Sequence, residues 1–312
     1  MRRNAIVRLC IWSVIAVSLI GLLATWFINN TNIFQSGGTS FMSIGLSSYR
    51  YKNADRYTAG NAEFSDQVTS LDIDWISGSV TVLSYDGDTV RIREDGDIID
   101  PDYQVHWFLG GGKLHIKYTA SKFFFRTPQN KNLTVEIPSG MARYLSSVEI
   151  DVVSASVELR EIKTNELKLE SVSGGINLEK IAANSLNLDT VSGAITATNL
   201  NVPLIDVDTV SGEISLSGQI GQGSVDTTSG DVTLSSNFPF EALDLETVSG
   251  DVTLICPLNA LNDGCRIVFE SVSGDIESEL PLKKNGNNYT FGSGKFIYNF
   301  DGVSGDLFIK QP

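Results

Sequence analysis

The sequence predicts an all-β chain: a single-stranded, β-helix-like β-solenoid of roughly 19-residue rungs, preceded by one N-terminal transmembrane helix. Three observations predict it. A short phrase ending in Ser-Gly and an aliphatic residue keeps returning. Its flanks alternate apolar and polar residues with a period of two, as a half-buried strand does. Near the start runs an apolar stretch long enough to span a bilayer core.

The phrase reads SVSGGI at Ser171–Ile176, TVSGAI at Thr190–Ile195, TVSGEI at Thr209–Ile214, TTSGDV from Thr227, TVSGDV from Thr247 and SVSGDI from Ser271. Taking its serine as a marker gives Ser173, Ser192, Ser211, Ser229, Ser249 and Ser273, with steps of 19, 19, 18, 20 and 24. Weaker copies place Ser304, Ser154 (with Ala155 for the glycine) and Ser77 in the same role. A period near twenty marks a solenoid or stacked array. Three residues after each marker stands an aliphatic residue, from Val80 to Leu307, and four before it an apolar one, from Ile73 to Phe300. Each repeat therefore reads as strand, Ser-Gly corner, strand, loop. No repeat buries its apolar face alone, so neighbours share the burial. Glycine is expected at the corner for its tolerance of positive φ, and serine for bonding nearby backbone.

In chain order, residues 1–8 carry Arg2, Arg3 and Arg8 and read as a cytoplasmic N-terminus. Residues 9–28 form the expected membrane anchor. Basic residues before it and none close after it orient the N-terminus inside and the body outside, a single-pass cell-membrane protein with its C-terminal domain extracytoplasmic. Residues 29–63, rich in Asn, Ser, Thr and Gly, read as an extracytoplasmic linker, with the alternative that part of it packs on the domain. Residues 64–312 form the solenoid, divided into an irregular capping part (64–140) and the repeat array (141–312). In the capping part, Val80–Glu94 reads as a hairpin turning at Asp86-Gly87-Asp88, and Tyr103–Thr119 as another turning at Gly110–Gly112. The array's later corners carry insertions, Pro257–Gly264 and Pro281–Gly294, read as tolerated loops or as a binding side.

These residues carry a resemblance. The recurrent TVSGD/E-I phrase, the opening LDIDWISGSVTV (Leu71–Val82) and LTVEIPSG (Leu133–Gly140) ahead of the array are similar to the bacterial putative-adhesin family of β-strand-repeat proteins, a domain of unknown function whose members include LiaG-like membrane-anchored proteins. The resemblance covers residues 64–312. It implies a β-solenoid exposed at the cell envelope and brings no catalytic residues. A role as an accessory of envelope-stress sensing rests on that analogy alone.

Chemistry-bearing residues are few. Three before each marker stands a carboxylate: Asp74, Asp151, Glu170, Asp189, Asp208, Asp226, Glu246, Glu270 and Asp301. A second, partial acidic column lies two after it: Glu213, Asp231, Asp251, Asp275 and Asp306. Stacked rungs bring like charges to about 5 Å, at a cost on the order of 1 kcal/mol each in water. Two readings follow: a Ca²⁺ site using Asp189, Asp208, Asp226, Asp231 and Asp251, or a solvated acidic stripe that keeps the exterior soluble. The second is the better supported, because the repeat lacks the Gly-Asp spacing of calcium-binding β-rolls. His106 and His115 are opposed across a turn but form no metal motif. Cys256 and Cys265 bracket an insertion and read as a disulfide or as two buried thiols. Phe123-Phe124-Phe125 with Trp107-Phe108 reads as a partner patch or as burial under the solenoid's end.

No nucleophile elbow, P-loop, dinucleotide fingerprint or zinc motif is present, and a net charge of −14 argues against nucleic-acid binding. The sequence thus points to a non-enzymatic, membrane-anchored surface protein without catalytic residues or cofactor, presenting a rigid face to an envelope protein or polysaccharide. The alternative is a β-helix carbohydrate-active enzyme, a polysaccharide lyase or glycosidase. Against it, the carboxylates are spread evenly rather than gathered in one cleft. Self-association is the third expectation, because FIYNFDGVSGDLFIK (Phe296–Lys310) reads as an uncovered final rung.

Overall fold

The computed structural model describes residues 53–96, 101–120, 130–258 and 264–312. The expected cytoplasmic N-terminus 1–8, the expected transmembrane helix 9–28, most of the linker 29–63 and Phe123–Phe125 lie outside the described residues. Among the described residues no helix is long and apolar enough to cross a membrane.

The repeats stack as the columns require. Strand Ala182–Thr190 lies parallel between Lys163–Ser171 and the second half of Ile195–Thr209, with Leu188 opposite both Leu169 and Val207. After the corner, Ile176–Glu179 lies parallel between Leu145–Arg160 and the first half of Ile195–Thr209, with Ile176 opposite Val157 and Ile195. Each rung thus contributes one strand before the Ser-Gly corner and one after it. The inward positions are sealed: Ile73, Ile150, Leu169, Leu188, Val207, Val225, Leu245 and Phe300 are at most 1% exposed. Since neighbours on one face sit about 4.8 Å apart, each aliphatic residue is covered above and below by its own kind.

The positive φ expected at the Ser-Gly corner is present at Gly78 (φ 101°), but in the array it is found at the other corner, seven residues after the marker. Glu161 (φ 57°), Lys180 (φ 55°) and Asn199 (φ 57°) hold the left-handed conformation there, and Gly218 (φ 147°) follows them. At the array's Ser-Gly corners glycine is required by closeness instead. A Cβ on Gly193 would lie 2.1 Å from the carbonyl oxygen of Gly174, and one on Gly212 2.1 Å from that of Gly193.

Chain order and stacking order part company at both ends. The expected Val80–Glu94 hairpin does not form. Strand Lys131–Pro138 lies between its two arms, parallel to Ser70–Tyr85 and antiparallel to Val90–Asp95. The second hairpin forms as expected, His106–Gly110 antiparallel to Lys113–Lys117. Part of the expected linker packs on this end, with Thr58 opposite Trp107 and Ala62 opposite Ile92.

At the far end the last rung in sequence is not the last in space. Strands Phe296–Gly302 and Leu307–Lys310 sit between the rung of Ser249 and the rung of Ser273. Phe300 faces Leu245 on one side and Phe269 on the other, where the rings stack at 5.0 Å. The expectation that Phe296–Lys310 is an uncovered end is therefore corrected. The outermost rung is Gly264–Ser278, half of which is covered by the hairpin Lys283–Asn285 and Asn288–Gly292 built from the second insertion.

Candidate functional site

Three layers of hydrogen bonding fix the corners. From Ser154 onward each marker serine's hydroxyl donates to the carbonyl of the residue before the marker on the adjoining rung: Ser173 to Val153, Ser192 to Val172 and Ser211 to Val191, each at 3.3 Å. Ser304 donates to Val248 at 3.2 Å and Ser273 to Val303 at 3.1 Å, which traces the same row through the inserted rung. Two before the marker, Thr190, Thr209, Thr227 and Thr247 point inward and accept the N–H of the corner glycine at 2.9–3.0 Å, sealing a buried donor. The residue between them points out. Val153, Val172, Val191, Val210, Val248 and Val303 are half-buried, an aliphatic ridge down the outside of the corner that Thr228 interrupts between Val210 and Val248.

Carboxylate columns flank that ridge. Asp74, Asp151, Glu170, Asp189, Asp208, Asp226, Glu246, Asp301 and Glu270 stand in direct register from rung to rung, in that order. They face outward and all but the exposed Glu270 are half-buried, and the chemistry of the middle members departs from that of a solvated stripe. Burial lifts Asp151 to about 8, helped by the charges of Asp74 and Glu170. Burial and then Asp208 lift Asp189 to about 7, and burial and then Asp208 and Glu246 lift Asp226 to about 8. Burial also raises Asp208, although a hydrogen bond from Asp226 pulls the other way. One oxygen each of Asp151 and Asp226 is buried with no hydrogen-bond partner among the described residues. Desolvation and like-charge proximity both favour the neutral acid, so near neutral pH Asp151, Asp189 and Asp226 hold protons.

Cations meet the column at one end. Lys117 contacts Asp74, and Asp72 receives Lys113 Nζ at 3.0 Å and His115 Nδ1 at 2.9 Å. Burial works against the charge on Lys117, yet Asp74 and Asp72 hold its pKa above the ordinary lysine value. Lys168 contacts Glu170 further along. Among the described residues Asp208 and Asp226 make no ion pair with a Lys or Arg.

The second acidic column, exposed except at the half-buried Asp306, is used differently. The N–H of Asp251 donates to Asp231 Oδ1 at 3.0 Å, that of Asp306 to Asp251 Oδ1 at 3.0 Å, and that of Asp275 to Asp306 Oδ1 at 2.8 Å. These carboxylates fasten one rung to the next. The five calcium candidates are thus divided: Asp189, Asp208 and Asp226 lie in the half-buried column, Asp231 and Asp251 in the fastening one. Among the described residues no group of three or more His, Cys, Asp or Glu side chains is arranged to hold a metal ion.

The remaining candidates are held by local packing. His106 pairs with Lys117 and His115 with Phe108, so the histidines are offset across their hairpin. Cys256 and Cys265 are buried free thiols, raised by burial to about 11 and about 12. Trp107 stacks on Phe64 at 5.2 Å, and Arg56 lies over Phe108 at 4.1 Å.

A sequence model of the Toastrack DUF4097 family matches residues 68–310, the whole of the stacked region just described. The chain belongs to the Toastrack DUF4097 family. No curated protein matches it. Among solved structures this Toastrack chain is similar to a putative lipid binding protein from Parabacteroides distasonis ATCC 8503, at 15% identity over 82% of this chain and 97% of that one, TM-score 0.47. It is also similar to a putative adhesin from Bacteroides fragilis NCTC 9343, at 12% identity over 82% and 97%, TM-score 0.46. A putative adhesin from Parabacteroides merdae ATCC 43184 matches at 12% identity over 82% and 96%, TM-score 0.43.

Sequence reasoning missed one buried centre of the Toastrack domain. Lys131, wholly buried, reaches Glu94 Oε1 at 2.6 Å and donates to the carbonyls of Tyr103, at 2.5 Å, and Tyr118. Its ammonium lies 4.0 Å from the ring centroid of Tyr118 and 4.9 Å from that of Trp75, whose indole N–H donates to the Lys131 carbonyl at 3.1 Å. A lone lysine opening an otherwise alternating strand gave no signal of this.

Proposed function

We propose that this Toastrack protein is a non-enzymatic surface protein of the cell envelope, held by residues 9–28 in the cell membrane with its solenoid outside. There it presents a rigid face for adhesion or for contact with an envelope protein or polysaccharide. The observation that carries the reading is the corner ridge: a valine on most rungs, with Thr228 in its place on the rung of Ser229, flanked by two carboxylate columns and held by serine, threonine and aspartate bonds at successive rungs. A periodic, stiff, amphipathic face suits contact with an extended or repeating partner, and its rigidity lowers the ordering cost of binding.

The test uses cells carrying the full chain. Val191→Lys with Val210→Lys, which replaces outward side chains only, is expected to abolish attachment to envelope material while surface level and melting temperature stay unchanged. Full attachment by that variant would overturn the reading. Digestion of the domain by protease added to intact cells checks the orientation, and protection would reverse it.

A further inference from the structure

The two ends of the stack are finished unequally. At the first, the Ser77 corner is covered: Ser77 donates to Asn130 Oδ1 at 2.7 Å, Ser79 to Asn132 Oδ1 at 2.8 Å, and Trp75 to the Lys131 carbonyl. At the last, only the half before the corner is covered, where Asn288–Gly292 pairs with Gly264–Val268. Beyond it, the corner from Val272 leads into strand Ile276–Ser278, which pairs on one side with Leu307–Ile309 and among the described residues has no strand on the other.

Exposure records the missing neighbour. Val272 is 59% exposed, whereas the other valines of its column are half-buried. Ile276 is half-buried, whereas Val157, Ile195, Ile214, Val252 and Leu307 of its column are sealed. The bonding pattern also stops in mid-repeat. Every earlier interface in this part of the stack has an aspartate carboxylate accepting the next rung's N–H, and Asp275 is the last of that series.

We propose that this edge is a strand-addition site for a cationic, extended segment of a partner protein, with Lys or Arg alternating with aliphatic residues. The added strand would pair its backbone with Val272–Ser278 and offer a donor to the Asp275 carboxylate. Its aliphatic residues would cover Ile276 and Val272. Its cations would face Asp275 and Glu277, which point outward, are exposed and make no ion pair among the described residues. Opposite charges on directly facing strand positions attract, and like charges repel. A second copy is the poorer occupant: its own edge would set Asp275 and Glu277 against their duplicates, and its opposite end is closed by Asn130–Asn132. The site is separate from the valine ridge and does not depend on it.

The test is fluorescence anisotropy of short labelled peptides on the full chain in nonionic detergent, since a net charge of −14 attracts any polycation. An alternating Lys-Val peptide is expected to bind. Its Glu-Val counterpart is expected not to bind, and neither is a Lys-Val peptide N-methylated along one backbone edge. Glu277→Lys is expected to weaken the Lys-Val peptide on the order of tenfold, while Glu213→Lys, an equal charge change on the body of the stack, leaves it within about twofold. Absence of binding, equal losses in the two variants, or undiminished binding of the N-methylated peptide would each overturn the proposal. So would a dimer of the unmodified chain that Glu277→Lys dissolves, which would give the edge to a second copy.

Discussion

The hydroxyl of Ser304 donates to the carbonyl of Val248 at 3.2 Å, across 56 residues of chain, while Ser273 reaches past its own neighbours to Val303. These two contacts reverse the order of the last rungs. Cysteines at Asp244 and Asn299, which stand in register, are expected to form a disulfide on oxidation. Cysteines at Asp244 and Val268 are each in register with Asn299 and so lie two rungs apart, about 9.6 Å. That exceeds the Cα separation a disulfide spans. A bond in the second pair and none in the first, read by mass spectrometry, would restore sequence order.

Gly212→Ala is expected to destabilise the fold by about 1–3 kcal/mol, because its Cβ would enter the carbonyl of Gly193 at 2.1 Å. Gly140→Ala, where nothing lies within 4 Å and the residue sits in the helical turn Ser139–Ala142, is expected to be neutral or stabilising. Thr209→Val strands the N–H of Gly212 and is expected to cost about 1–3 kcal/mol. Thr209→Ser keeps the acceptor, as Ser171 does for Gly174 at 2.9 Å. Chemical denaturation of the four variants reads the ranking.

Removing one partner of a wholly buried ion pair leaves a charge without compensation. Lys131→Met is expected to cost about 3–5 kcal/mol, and adding Glu94→Gln is expected to recover part of it. A double variant no more stable than the single would show that the lysine acts through its carbonyl and ring contacts rather than through Glu94.

The carboxylate ladder sets a pH dependence. Asp151, Asp189 and Asp226 titrate at about 8, 7 and 8 in the folded chain against an ordinary value of 3.8. The folded state therefore binds more protons between those limits. Their contribution is complete below about pH 4 and is lost as pH rises through 7 to 8. Asp72 runs the other way: Lys117, Lys113 and His115 outweigh its burial and lower it, so its contribution is lost in acid. The melting temperature is expected to be highest near pH 5 and to fall toward pH 9. Asp208→Asn, which relieves both Asp189 and Asp226, should raise it at pH 9 and leave it nearly unchanged at pH 5. A flat profile from pH 5 to 9 would contradict the proton-holding column.

The array was legible because its columns are local: Leu188 above Leu169 and Ser192 beside Val172 follow from a shift of one period. Three features were not legible, each for a physical reason. The Ser-Gly corner glycines answer to a carbonyl on another rung, and no local pattern distinguishes that from a need for positive φ. The left-handed corner at Glu161, Lys180 and Asn199 uses residue types with no shared signature. The intercalated strands Lys131–Pro138 and Phe296–Gly302 depend on which of several equivalent edges a strand chooses, and near-identical repeats make those edges indistinguishable in sequence. The acidic column was legible as a column. Its protonation was not, because desolvation comes from neighbours the alternation does not reveal.

The position of Phe296–Gly302 has a consequence in time. During synthesis the segment Gly264–Ser278 emerges first, and it meets a vacant edge on Ala242–Ile255 whose columns match its own. It must either wait unpaired or dock early and later be prised away to admit the latecomer. Refolding of the full chain should therefore show a slow phase that vanishes when residues 295–312 are deleted, and its length measures how firmly the premature partner holds on.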